Sequence, residues 1–151
     1  MLSVIIPTLN SERALIPTLA ALVSGATAGL ISEVLIADGG SRDDTATVAD
    51  IAGCEFLALE VRLGPRLKAA AARARAPWLM FVQPGTVLYA PWTDEAIRFV
   101  EQPGLRAAAA VFRRSSGQQT ALREAFSFLV AALRTARPEQ GLMIAKPFYE
   151  D

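Results

Sequence analysis

Two short stretches of the sequence carry side chains suited to holding a ligand. Asp38-Gly39-Gly40-Ser41 follows an apolar, β-branched run, and its two glycines allow a backbone to approach a ligand closely. Its carboxylate can accept hydrogen bonds from a ribose or from the edge of a base. Farther on, Arg66 and Lys68 follow Gly64-Pro65, where a helix is expected to begin. Cations at a helix N-terminus suit a diphosphate, so the two stretches together favour nucleotide binding.

Both stretches also have a structural interpretation. Asp38 or Ser41 would cap the next helix if the glycines only form a tight turn. The arginines of the later stretch would form a solvated helix face, and this interpretation is the stronger one for Arg73 and Arg75.

The composition excludes several classes of site. The 151 residues contain no histidine and one cysteine, Cys54, which excludes Ser-His-Asp triads, Cys-His dyads, histidine-ligated zinc and a disulfide framework. Fifteen basic and 15 acidic side chains give a net charge of zero, so we expect no nucleic-acid partner. The hydrophobic fraction of 52% predicts a folded chain with a real core.

No segment is predicted to target or cross a membrane. The first positive charge is Arg13, so the apolar start lacks the basic region of a signal peptide. The uncharged stretches Ala14–Ser32 and Ala76–Thr93 contain too many glycines, prolines and polar residues for a spanning helix. We expect a cytoplasmic protein, with peripheral attachment to the inner face of the membrane as the alternative.

The elements that must position the candidate site alternate along the chain. Apolar runs predict strands at Leu2–Ile6, Ser32–Ala37, Phe56–Leu59, Trp78–Val82, Ala107–Phe112 and Leu142–Ala145. Helical patterns span Ile16–Ser24, Asp43–Ile51, Gly64–Ala76, Thr93–Glu101 and Thr120–Ala136.

Three residues set the expected limits of the first strand and the first helix. We expect Pro7 to stop the strand, Pro17 to lie in the first turn of the helix and Gly25 to end it. The residues expected on the buried face of this helix are Leu19, Leu22 and Val23.

Apolar strands that alternate with helices predict an α/β fold. The sheet is expected to be doubly wound and mostly parallel, with helices on both faces. In such sheets ligands bind outside the carboxyl ends of the strands. The segments that follow the first four strands are therefore the candidate site: Pro7–Asn10, Asp38–Ser41, Val61–Lys68 and Gln83–Thr86.

These motifs together resemble the family-2 glycosyltransferases, which have the Rossmann-like GT-A fold. Ser3–Asn10 is similar to the opening of that family, and Val34–Thr45 is similar to its second strand and Asp-rich, Gly-Ser turn. Ala69–Val82 resembles the helix and strand that lead to the family's metal motif, and Glu139–Ile144 resembles a later Asp-Gln-Gly segment. The resemblance covers nearly the whole chain.

The resemblance implies an inverting transferase that moves a sugar from a nucleotide sugar to an acceptor hydroxyl or amine. A UDP-sugar is the expected donor. Asp38 would contact the base, and Arg66 and Lys68 would offset the charge of the diphosphate. The residues in or beside the nucleotide pocket would be Pro7, Thr8, Asn10, Asp38, Gly39, Gly40 and Ser41.

The sequence departs from the family at the metal motif and at its C-terminal end. The family places an Asp-x-Asp-type motif for magnesium or manganese where this chain has Gln83-Pro84-Gly85. That segment has no carboxylate, so we predict no metal cofactor. A complete family domain continues well past Asp151 and supplies the catalytic carboxylate there, so no catalytic residue is predicted, and Glu150-Asp151 is not the catalytic pair. We expect residues 1–151 to form a single GT-A-like nucleotide-sugar-binding domain, truncated at its C-terminus.

Three functions stay open at this point. The first is a glycosyltransferase or its donor half, and the second is a catalytically inactive nucleotide- or partner-binding member of the same fold. The third, an unrelated nucleotide-binding module, ranks last because no Gly-x-Gly-x-x-Gly or Walker-type loop follows the first strand. A reading frame that continues past Asp151 to an acidic pair would favour the enzyme. Apolar residues in Ala107–Phe112 and Thr120–Ala136 also predict a homodimer.

Overall fold

A central β-sheet organises the chain in the computed structural model, which describes residues 1–89, 91–101, 109–111 and 141–150. The described strands are β1 (Leu2–Thr8), β2 (Ile31–Asp38), β3 (Glu55–Ala58), β4 (Trp78–Phe81), β5 (Ala109–Val111) and β6 (Leu142–Ala145). They form one sheet in the order β3-β2-β1-β4-β6-β5. The first four strands are parallel, whereas β6 runs antiparallel to both β4 and β5.

Helices cover both faces of this sheet, which confirms the predicted α/β fold. The described helices are α1 (Glu12–Thr27), α2 (Thr45–Ile51), α3 (Leu63–Arg73), α4 (Trp92–Glu101) and α5 (Lys146–Glu150). Side chains alternate along β1, so Val4 and Ile6 pack with residues of α1, α2 and α4, while Ile5 packs with α3 on the opposite face. None of the helices in the described ranges is long and apolar enough to span a membrane.

The C-terminal half of α3 lies close to the sheet because the residues it buries are alanines. Ala70, Ala71 and Ala74 are all buried against Ile5, Leu35 and their neighbours. A face made of methyl groups lets the helix backbone approach the strands, and α3 contacts both β1 and β2. The N-terminal end of α3 is thereby held near the carboxyl ends of these strands.

The first strand does not stop at Pro7 as expected. β1 continues through Pro7 to Thr8, and these two residues pair with Ala37 and Asp38 of β2. On its other side, β1 pairs with β4 only as far as Ile5. The missing N–H of Pro7 leaves no ladder bond unmade, since Pro7 lies beyond the last pairing on the β4 side.

The limits predicted for the first helix are also wrong. The α1 helix begins at Glu12, so Pro17 lies inside it rather than in its first turn. Pro17 is exposed, so the carbonyl group that its missing N–H would have bonded can meet water. Gly25 does not end the helix, because α1 continues to Thr27 and Gly25 is buried.

The buried face of α1 differs from the prediction as well. Leu22 is buried as expected and Leu19 is partly buried, but Val23 is 60% exposed. Gly25 lies on the buried face of α1 instead, and the Trp92 ring packs against it. A Cβ atom on Gly25 would stand 2.5 Å from Cη2 of Trp92.

Most other boundaries differ from the predictions by one to three residues, and the limits of β6 are those predicted. The α4 helix starts at Trp92 rather than at a Thr93 cap. Of the predicted strand Ala107–Phe112, the described part is Ala109–Val111. The predicted helix Thr120–Ala136 lies outside the described residues.

Candidate functional site

A cleft of about 340 Å³ opens at the carboxyl ends of β1 and β4. It lies where the sheet splits, because the Val82 N–H bonds to the Ile5 carbonyl and β1 has no ladder partner on that side farther on. The residues that line it are Pro7, Thr8, Leu9, Asn10, Ser11, Ala14, Leu63, Arg66, Gln83 and Pro84. This is the edge of the sheet at which the sequence predicted a site.

Asp38 lies beside this cleft at the end of β2, and both of its carboxylate oxygens are hydrogen-bonded within the protein. Oδ1 accepts from the hydroxyls of Thr8 (2.7 Å) and Ser41 (2.5 Å). Oδ2 accepts from the backbone N–H groups of Gly40 (2.9 Å) and Ser41 (2.7 Å). The side chain therefore holds its own turn and the end of β1 together. Neither Asp38 nor Ser41 caps α2, whose N-cap residue is Asp44.

These hydrogen bonds determine the charge state of Asp38. Burial acts to raise the pKa of this carboxyl, since the residue is only 2% exposed. The hydrogen bonds from Ser41, Thr8 and Gly40 outweigh burial, and the net result is a lowered pKa. Asp38 is thus an anion at neutral pH, and its carboxylate accepts four hydrogen bonds from the protein.

A second set of hydrogen bonds joins the loop after β1 to the loop after β2. The Asn10 N–H donates to Ser41 Oγ at 2.8 Å, and the Arg42 N–H donates to Asn10 Oδ1 at 2.8 Å. Asn10 adopts a left-handed conformation with φ 49°, which asparagine tolerates better than most residues. The loop after β1, which lines the cleft, is therefore held in place by the loop after β2, whose residues are not among the lining residues.

The start of α1 is tied to the same segment by Asp43 and Thr45. The Glu12 N–H donates to Asp43 Oδ2 at 3.2 Å, and the Ser11 N–H donates to Thr45 Oγ1 at 2.9 Å. The hydrogen bond from the Thr45 hydroxyl is the main reason that the pKa of Asp43 is lowered. The Asp43 carboxylate is therefore engaged in holding the start of α1 in place.

Arg66 also lines the cleft, and its side chain is nearly enclosed. It is 8% exposed, and its Nε is buried with no hydrogen-bond partner among the described residues. The guanidinium occupies the space beside Gly39: a Cβ on Gly39 would stand 1.6 Å from Arg66 Nη1. Within the described ranges, no carboxylate lies within ion-pair distance of it.

The structure does not bring the other candidate cations into the cleft. Lys68 lies on the exposed side of α3 and is not among the lining residues. Arg73 pairs with Glu55 at 2.7 Å, and Arg75 pairs with Glu33 at 2.8 Å. The last two arginines thus have the structural role that their sequence context favoured.

The segment after β4 forms a tight turn fixed to α1. The Thr86 N–H donates to the Gln83 carbonyl at 3.1 Å, and Gly85 has φ +87°, as the third residue of a type II turn requires. The Gly85 N–H bonds to the Ala14 carbonyl and to Thr18 Oγ1, both at 2.9 Å. Gln83 and Pro84 are thereby held on the cleft wall.

Comparison with known proteins identifies the family to which this arrangement belongs. The sequence profile described as "Glycosyl transferase family 2" matches residues 3–147. The chain belongs to glycosyl transferase family 2. A search of curated proteins gave no match.

Solved structures of glycosyltransferases share the fold. Glucosyl-3-phosphoglycerate synthase from Mycobacterium tuberculosis, in complex with Mn²⁺, UDP and glucosyl-3-phosphoglycerate, superimposes with a TM-score of 0.65 at 21% identity. That match covers 97% of this chain and 57% of the synthase. S. aureus TarS 1-349 gives a TM-score of 0.73 at 18% identity, over 99% of this chain and 48% of TarS.

A third match has the same extent. Mannosyl-3-phosphoglycerate synthase from Rubrobacter xylanophilus gives a TM-score of 0.65 at 15% identity, over 97% of this chain and 54% of that protein. The chain thus spans about half the length of these solved structures. At these identities the matches show the GT-A fold.

A divalent metal of the kind bound by the Mycobacterium synthase does not fit the donor set of this cleft. None of the described residues that line it is an aspartate or glutamate, and Gln83 offers a neutral amide. No group of three potential metal ligands occurs in the described ranges. Both oxygens of Asp38 are already engaged. Magnesium and manganese are usually held by at least one carboxylate together with phosphate and water oxygens, and the described residues that line this cleft offer no such carboxylate.

Two lining residues, Ser11 and Ala14, lie outside the segments that the sequence predicted for the site. Leu9 and Leu63 lie within those segments, although neither was named individually. Leu9 is 57% exposed and Leu63 is 44% exposed, and apolar side chains left exposed beside a strand end are a usable signal of a binding surface. The closeness of Gly39 to Arg66 has no local signal, because 27 residues separate them.

Proposed function

We propose that this chain binds a nucleotide sugar and forms the donor half of a glycosyltransferase. The reaction would pass the sugar to an acceptor hydroxyl or amine with inversion at the anomeric carbon. The observation that carries the proposal is Arg66, a buried guanidinium with no described partner, on the wall of a cleft at the carboxyl ends of the strands. Burying an unpaired charge is costly, and an anionic ligand relieves the cost.

In this proposal the two loops that follow β1 and β2 form the nucleotide pocket. Pro7, Thr8 and Asn10 line the cleft directly. Asp38 acts as a positioning residue, because four hydrogen bonds occupy the acceptor sites of its carboxylate. It fixes the Gly40-Ser41 backbone against Asn10, and the pocket is thus formed before the ligand arrives.

A UDP-sugar is the donor we propose. UDP and UDP-glucose accompany the Mycobacterium synthase in its solved structures, and that protein has the same fold. Two further expectations belong to the proposal: a homodimer, which sedimentation equilibrium would reveal, and action in the cytoplasm or at the inner face of the membrane.

The second candidate is a catalytically inactive nucleotide-binding protein of the same family. The observation in its favour is that no carboxylate faces the cleft among its described residues. The two candidates differ in turnover and agree on binding. Release of UDP from UDP-glucose, measured with and without a panel of acceptor alcohols and amines, would favour the enzyme.

Calorimetric titration tests the proposal. We expect saturable binding of UDP and UDP-glucose, and weaker binding of uridine because it lacks the diphosphate. An Arg73→Met variant is the matched control, since Arg73 pairs with Glu55 outside the cleft and its loss should leave the affinity unchanged. Absence of binding for UDP, CDP, GDP and ADP alike would refute the proposal.

A further inference from the structure

We propose that Arg66 takes the place of the divalent metal in this cleft, so that its guanidinium holds the donor diphosphate and binding needs no metal. The inference rests on the proposed function and adds the chemical basis of phosphate recognition. It begins from the charge of the cleft. Among the described lining residues, Arg66 has the one ionisable side chain, and it is cationic.

The guanidinium has the right chemistry for a diphosphate. It offers a planar set of N–H donors that matches two phosphate oxygens. Arg66 lies one turn into α3, which has 11 residues. The free N–H groups of the first turn and the helix dipole add to the positive potential on the same side.

The neighbouring anion does not neutralise Arg66. Asp38 precedes Gly39 in the chain, but its carboxylate accepts hydrogen bonds from Thr8, Gly40 and Ser41 rather than from Arg66. The described residues include no salt bridge to Arg66, and its Nε is buried without a partner. The positive charge thus remains available for a ligand.

The backbone at Gly39 makes room for this arrangement. Any side chain at position 39 would occupy the volume of the guanidinium, since its Cβ would lie 1.6 Å from Nη1. The guanidinium therefore packs against the backbone of Gly39 at the edge of the cleft. Gln83 and Pro84 offer no carboxylate on the remaining wall.

The primary experiment is a calorimetric titration of UDP into the intact chain in three buffers: metal-free with EDTA, with Mg²⁺ and with Mn²⁺. We expect affinities that agree within about twofold, because the cation that offsets the diphosphate is covalently part of the chain. Binding that disappears in EDTA and returns with Mn²⁺ would overturn the inference while leaving the proposed function intact. If no nucleotide binds under any condition, the proposed function fails and the inference fails with it.

Two variants test which side chain supplies the positive charge that binds the diphosphate. Arg66→Met should weaken UDP binding by about 10- to 100-fold, the equivalent of losing one charge-assisted hydrogen-bonded contact, and should leave uridine binding unchanged. Lys68→Met removes the same charge two residues along α3, outside the cleft, and should change neither affinity. Equal losses for UDP and uridine in Arg66→Met would show that Arg66 contacts the base, which overturns the inference.

A stability measurement separates a lost contact from a lost fold. Because Arg66 is a buried charge without a described partner, Arg66→Met should melt at or above the temperature of the wild type when no ligand is present. UDP should then raise the melting temperature of the wild type more than that of the variant. A variant that melts well below the wild type would mean that Arg66 has a structural partner, and this too would contradict the inference.

Discussion

The guanidinium of Arg66 occupies the space in which a side chain on Gly39 would begin, with 1.6 Å between Nη1 and a Cβ built on the glycine. Two elements that are distant in sequence, the turn after β2 and the start of α3, are fitted together by one absent side chain. Gly39 does not have a positive φ, so its role is to leave space. This differs from the role of its neighbour Gly40, which has φ +100°.

Gly39→Ala should impair nucleotide binding through Arg66. The added methyl group displaces the guanidinium, and we expect UDP affinity to fall by a factor similar to that of Arg66→Met. In the double variant with Arg66→Met, the alanine should cost little further affinity, because the group it displaces is already gone. Calorimetry of the four proteins measures this coupling, and strictly additive losses would show that the two residues act independently.

Gly40→Ala should reduce stability through backbone strain. An alanine at φ +100° costs about 1–2 kcal/mol, and its Cβ would also lie 3.2 Å from Cγ of Glu60. Gly64→Ala is the control, because Gly64 has no positive φ and no atom within 4 Å of its would-be Cβ. Urea unfolding should show a loss for Gly40→Ala and none for Gly64→Ala. Rescue of Gly40→Ala by Glu60→Ala would indicate a clash as the main cost.

Asp38→Asn should flatten the loss of stability in acid. Burial acts to raise the pKa of Asp38, but its hydrogen bonds prevail and the pKa lies below the ordinary value of 3.8. A carboxyl with a lowered folded-state pKa stabilises the fold above its unfolded pKa, and that contribution is lost as the pH falls through the folded pKa. The asparagine variant should therefore be less stable than the wild type at pH 7, and the difference should shrink below pH 3.8.

Urea unfolding at a series of pH values tests this expectation. The wild type retains some acid sensitivity in either case, because the pKa values of Glu33 and Asp43 are lowered as well. A constant stability difference between the two proteins from neutral to acid pH would mean that the charge of Asp38 contributes nothing.

Gly25→Ala should destabilise the contact between α1 and α4. The new methyl group would stand 2.5 Å from the Trp92 ring and 2.9 Å from Cδ1 of Ile31, and neither is free to move far in the core. Overpacking of this kind costs about 1–3 kcal/mol, which exceeds the gain in helix propensity from replacing glycine. Ser24→Ala, at the adjacent exposed position, should be nearly neutral in the same thermal melts.

The strands and their order of appearance could be predicted because they are short apolar runs buried on both faces. The limits of α1 could not be predicted in this way. The rule that places proline in the first turn of a helix assumes that the carbonyl deprived of its N–H partner finds no other hydrogen-bond donor. Pro17 lies on the exposed side of α1, where water can satisfy that carbonyl. Gly25 was misjudged because its partner, Trp92, lies 67 residues farther along the chain.

The location of the cleft was predictable from the topology of parallel sheets, and the contacts made by the individual residues around it were not. Arg66 and Lys68 looked equivalent by sequence. Residues two positions apart on a helix are rotated by about 200° about its axis, however, so their side chains lie on different faces. The structure buries the first and exposes the second. The Asp38 carboxylate accepts hydrogen bonds from Thr8 and Ser41, and the bond from Thr8 forms only because β1 pairs with β2.

The turn after β4 is anchored to α1 through the backbone of Gly85, and the side chains at positions 83 and 84 take no part in that anchorage. Substitutions at Gln83 can therefore change the functional group that lines the cleft while the turn stays anchored to α1. An acidic residue could be gained or lost there at small cost to folding. The group that lines the cleft at position 83 can thus vary independently of the backbone that carries it.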